Sequence, residues 1–76
     1  MITAVSKKED YITLIGDGTK TIMADTPISD GGGDQYLRPG DILVSGYAAC
    51  VNITTRKELN TKNLSYEEVI VQVEMD

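Results

Sequence analysis

Seventy-six residues make one small domain at most, and a chain of this size buries only a little over ~60% of its unfolded surface. A single cysteine and the absence of histidine rule out an internal disulfide and a structural zinc site, so self-association is the expected source of further stability. The net charge of −5 opposes nucleic acid and anionic membrane surfaces as partners.

Ile2 to Ser6 is a short β-rich run closed by the polar Lys7-Lys8-Glu9-Asp10. Tyr11-Ile12-Thr13-Leu14-Ile15 follows with β-branched and aromatic residues. Gly16-Asp17-Gly18 signals a tight turn, and Thr19 to Ala24 reads as the returning strand. A three-stranded antiparallel meander with strands near 2–6, 11–16 and 19–24 is therefore expected. Residues 25–37 break the pattern with Pro27 and Ser29-Asp30-Gly31-Gly32-Gly33-Asp34. Glycines between acidic residues resemble one unit of a calcium-binding repeat, but such repeats work in tandem. A flexible, solvated, metal-free loop is the expectation.

A helix is predicted over about 39–59. Pro39 suits the first turn, where its missing N–H would go unpaired anyway, and Asp41 adds the negative charge that the helix dipole favours there. Arg56 and Lys57 fall near the other end, where positive charge is favoured. Between them Ile42, Leu43, Val44, Tyr47, Ala48, Ala49, Cys50, Val51 and Ile53 leave almost no polar face, the mark of a buried helix. At ~1.5 Å per residue it is roughly 30 Å long, enough to cross a small domain. Asn60-Thr61-Lys62-Asn63 ends it with asparagines able to take the left-handed conformation. Residues 67–75 follow, with Val69, Val71, Val73 and Met75 alternating with Ile70, Gln72 and Glu74: a strand with one dry face. The longest apolar run is far below the ~20 residues needed to span a bilayer. The first residues lack a basic segment followed by an apolar one, and a free thiol fits a reducing compartment, so a cytoplasmic location is expected.

Gly46-Tyr47-Ala48-Ala49-Cys50, preceded by Arg38-Pro39 and followed by Leu64 and the Val69, Val71, Val73 strand, resembles the OsmC/Ohr family of osmotically inducible and organic-hydroperoxide-resistance proteins. The resemblance spans the chain but only about the first half of that family's domain. It implies an α+β half-domain: a three-stranded antiparallel sheet, a long central helix and a fourth strand, completed by dimerisation. It further implies thiol-dependent reduction of organic hydroperoxides, with Cys50 as the peroxidatic nucleophile and no cofactor. The family's resolving cysteine belongs to the missing half, which leaves an external thiol, or Cys50 of a second copy, as resolver. A family glutamate after the proline is here Gly40, with Asp41 one residue later. The family's catalytic arginine comes from the N-terminal sheet region, where the nearest cation is Lys20, which lacks the bidentate fork of arginine.

The chemistry requires a thiolate. Cys50 lies too deep in the helix for the dipole to help, since that effect fades within the first turn. On a wheel of about 100° per residue, Arg56 falls about 120° from Cys50, and Lys57 shares its face but stands roughly 10 Å along the axis. Asp41 is about 180° round and ~13 Å back. In the family the site is assembled across a dimer interface, so the resemblance implies Lys20, Arg38 or Asp41 of a second chain as the rest of the candidate catalytic set, with Tyr47 and Leu43 as lining for an apolar substrate. Two other readings stay open: Cys50 as a small core side chain in a non-catalytic dimeric binding module of the same fold, and the chain as a piece of a longer protein.

Overall fold

The computed structural model describes residues 1–75. The chain divides into two compact units, Met1–Ile42 and Leu43–Asp76.

The first unit is built on a meander of β1 (Thr3–Ser6), β2 (Thr13–Gly16) and β3 (Thr21–Ala24), in that order and antiparallel throughout. The strands are shorter than the sequence pattern implies because their flanks are used in turns. The Ile12 N–H donates to the Glu9 carbonyl at 3.2 Å, and the Lys7 N–H to the Ile12 carbonyl at 2.8 Å, so pairing with β2 starts only at Thr13. In the β2–β3 turn the Asp17 carboxylate accepts the N–H groups of Thr19 and Lys20, each at 2.8 Å, which keeps both out of the ladder. These bonds, Lys20 first and Thr19 second, hold the Asp17 carboxyl below its usual pKa.

Register puts Ala4, Ile15 and Ile22 side by side on one face of the sheet, and Val5, Leu14 and Met23 on the other. Both faces are apolar, yet Val5, Ile22 and Met23 remain exposed. Ala24 is the only buried apolar residue among the described residues.

Residues 25–37 are not the loose loop that the glycines suggest. They contain a 3₁₀ turn, Ile28–Asp30, and return to β3 through a parallel bridge between Ala24 and Leu37. The Asp25 N–H donates to the Leu37 carbonyl at 3.1 Å, and the Asp34 N–H to the Thr26 carbonyl at 3.0 Å. At the centre Asp25, only 1% exposed, accepts the N–H groups of Thr26 (2.7 Å), Gly33 (3.2 Å) and Gln35 (3.4 Å). The glycines are a consequence of close approach: a Cβ on Gly32 would collide with the Thr26 carbonyl and hydroxyl, and one on Gly33 would stand 2.7 Å from Asp10 Oδ2.

Helix α1 (Pro39–Thr61) dominates the second unit and has its first turn in the first. It begins at the proline, as expected. It ends in a Schellman motif: Asn63 takes φ 57°, its N–H donates to the Asn60 carbonyl at 3.1 Å, and the Leu64 N–H donates to the Leu59 carbonyl at 2.9 Å.

The expectation of a buried helix does not hold within the chain, since no residue of α1 is buried. From Leu43 onward the half-buried positions are Val44, Ala48, Val51, Asn52 and Leu59, all within a sector of about 100°. What covers that side is thin. Asn52 Nδ2 donates to the Val69 carbonyl at 2.7 Å, tying residues 69–75 to the helix. Val69, Val71 and Val73 are half-buried while Ile70, Gln72 and Glu74 are exposed, the two-residue alternation of extended chain. The fourth strand expected over 67–75 is nevertheless not formed, because a strand exists only through a ladder and none of these residues has one among the described residues.

Candidate active site

The apolar helix carries Cys50 on its uncovered side. Leu43, Gly46, Tyr47 and Cys50 fall within a sector of about 100°, turned away from the half-buried one. Leu43 is 73% and Tyr47 63% exposed, and the thiol itself is exposed. Cys50 is therefore not a core side chain of this chain. Side chains on a helix lean toward its N-terminus, so the sulfur is directed over the turn that contains Gly46 and Tyr47. A Cβ on Gly46 would meet nothing within 4 Å, which leaves that turn open to an approaching molecule.

The remaining sequence-derived candidates lie in the first unit. Arg38 and Asp41 are brought to each other at the start of α1: Arg38 Nε donates to Asp41 Oδ2 at 3.1 Å and Nη2 to Oδ1 at 3.4 Å, a fork across one helical turn. The bond to Asp41 and its charge raise the Arg38 pKa above its usual value. Lys20 sits in the β2–β3 turn with its backbone N–H on Asp17. Tyr47, Leu43 and Cys50 are thus gathered by the helix, and Arg38 with Asp41 by their ion pair.

Sequence reasoning missed Asp25. An aspartate at the end of a strand, ahead of a glycine run, looks like ordinary turn chemistry. Only the fold reveals that the run wraps the carboxylate. Burial disfavours the ionised form, but the backbone N–H groups of Thr26, Gln35 and Gly33 outweigh it, with a further contribution from Tyr11, and hold the carboxyl below its usual value. Asp25's oxygens are already occupied by these donors, and among the described residues no three His, Cys, Asp or Glu side chains are placed to hold a metal ion. Among those residues also, no helix is long and apolar enough to cross a membrane.

The family model described as OsmC-like protein matches residues 31–76, a segment that takes in the end of the glycine loop, all of α1 with Cys50, and the valine-rich tail. Comparisons with curated proteins and with solved structures find no match. With more than half of its length matched, and with the helix that bears Cys50 inside the match, the chain belongs to the OsmC-like family.

Proposed function

We propose that the chain reduces organic hydroperoxides with Cys50 as the nucleophile, as a homodimer or higher homo-oligomer in a reducing compartment. The observation that carries the reading is the thiol's position: exposed, at mid-helix, on an apolar face with Tyr47 and Leu43, inside the family-matched segment. The Cys50 thiolate attacks the terminal peroxide oxygen, the O–O bond breaks, and the alkoxide leaves with a proton as an alcohol. Cys50 becomes a sulfenic acid. An external thiol condenses with it, releasing water and forming a mixed disulfide, and a second thiol restores Cys50 while leaving as the oxidised partner. The cation that favours the thiolate comes from a second copy, through Lys20 or Arg38, with Asp41 as its orienting carboxylate.

Assembly follows from the same exposure. An apolar helix face and two apolar sheet faces, all open, give a second copy a surface to cover. Residues 67–75, whose burial already alternates from Val69 to Glu74, become the fourth strand when a neighbouring edge supplies their ladder.

A second reading, a non-catalytic dimeric module, is favoured by one observation: Arg38 is already forked onto Asp41 of its own chain, and Gly40 offers no side chain in place of the family's glutamate. One experiment separates the two. Treat the protein with an organic hydroperoxide and follow its intact mass. Rapid gain of one oxygen on Cys50, or a Cys50–Cys50 crosslink, supports the enzyme. A thiol inert to peroxide while it reacts readily with an alkylating agent supports the module. Sedimentation at the same concentrations reports the assembly, and a stable monomer would refute that part.

A further inference from the structure

The second unit contains a hollow that the thiol chemistry does not use. It lies between α1 and the tail, lined by Ala48, Ala49, Asn52, Ile53, Arg56 and Val71, with a volume of about 260 Å³. Its centre on the helix is near Asn52, about 160° around the wheel from Cys50, so it is not the approach to the sulfur. Four of its six residues are apolar, and the two polar ones are both donors of N–H. Asn52 uses one amide hydrogen on the Val69 carbonyl and retains the second. Arg56 takes part in neither of the ion pairs formed by Arg38 with Asp41 and by Lys62 with Glu58. A guanidinium offers five N–H donors in a planar fork that matches a carboxylate. An arginine beside apolar walls, in a chain with nearly twice as many acidic as basic residues, is the local reverse of the molecule's overall charge.

We propose that this hollow binds a small aliphatic monocarboxylate, its carboxylate forked onto Arg56 and assisted by the Asn52 amide, its alkyl chain against Ala48, Ile53 and Val71. Its volume falls just under the usual range of ligand pockets, which limits the ligand to a short chain. The inference stands apart from the role of Cys50 and survives if that role fails.

The test is an amide-resolved NMR titration of the full chain with hexanoate, hexanol and acetate as separate probes. Saturable shifts centred on Ala48, Ala49, Ile53 and Val71 with hexanoate, and at least about tenfold weaker effects with both others, are expected, because each control lacks one of the two recognition elements. Arg56→Gln should abolish the hexanoate response while leaving the rest of the spectrum in place. Arg56→Lys should restore it only in part, since lysine keeps the charge without the fork. Cys50→Ser should bind as the parent does. Equal response to hexanol, equal response to acetate, no saturation, or full binding by Arg56→Gln would each overturn the proposal.

Discussion

The two units use opposite means to hold a segment in place. In the first, residues 25–37 look the least structured in sequence, yet they are gathered around a carboxylate that is 1% exposed and fed by backbone N–H donors. In the second, the most apolar element of the chain is one of the least covered, with a tail along one side and Leu43, Tyr47 and Cys50 open on another. The contrast teaches that order and apolarity are separate properties. A short loop can satisfy itself with polar bonds at close range, whereas an apolar helix needs area that 76 residues do not supply.

The largest effect expected is on the chemistry of the open helix. Cys50→Ser should remove peroxide consumption by about three orders of magnitude or more, to the uncatalysed background, since no other side chain can form the sulfenic acid. A peroxide-consumption assay with the parent as reference reads it. Loss of only a few-fold would mean that the thiol is a bystander.

Next comes the loop. Gly32→Ala should cost about 1–3 kcal/mol, because the added methyl collides with the Thr26 carbonyl and hydroxyl and the loop cannot relax without releasing Asp25. Denaturant unfolding measures the loss, and amide exchange at Thr26, Gly33 and Gln35 should accelerate with it. An unchanged midpoint would show that the loop is as loose as its composition suggests.

Leu43→Asp tests the helix face as a contact surface. It should weaken self-association by about tenfold, or roughly 1.4 kcal/mol, when a second copy covers that face, as read by sedimentation over a concentration series. Gly46→Ala sharpens the same question at lower amplitude. Nothing stands near that position in the chain, so the substitution should stabilise a lone helix by about 1 kcal/mol. If a partner helix crosses closely there, the sign reverses and association weakens instead.

The smallest effect near neutrality is that of pH. Asp25 titrates below the ordinary carboxylate value of 3.8 when folded and close to it when unfolded. Its contribution to stability is therefore complete above that value and is lost as pH falls through the lowered native one. Asp17 adds a contribution of the same sign. Amide protection in residues 25–35, taken relative to the intrinsic exchange rate at each pH, should be unchanged between pH 7 and 5 and fall below about 4, while Asp25→Asn should flatten the dependence.

Much of the architecture was legible before the fold. Pro39 marked the start of α1, and the asparagines of the turn from Asn60 to Asn63 marked its end, about 59 in the sequence pattern and Thr61 in the fold, because capping is local chemistry. The order of the three strands followed from turn residues and β-branched runs. Strand ends did not, since the carboxylate of Asp17 and the carbonyl of Glu9 claim N–H groups that composition assigns to the sheet. Asp25 was hidden for a geometric reason: a glycine run reads as freedom until one knows what sits beside it. The tail shows its period plainly, but a ladder depends on a neighbour that no periodicity names. At the site, the helix face of Leu43, Tyr47 and Cys50 could be drawn from spacing alone. The Arg38–Asp41 fork is an ordinary three-residue pairing at a helix start, a local partner that the expectation of reach across subunits leaves out.

The Asp25 knot also has a thermal consequence. It is made of amide-to-carboxylate and amide-to-carbonyl bonds, with Ala24 the sole buried apolar residue among the described residues, so opening it exposes little hydrocarbon and should carry a small heat-capacity change. Cooling weakens apolar association and leaves such bonds nearly untouched. In the cold, then, a complex held together by its greasy helices should come apart first, and the glycine loop should stay latched in the separated chains.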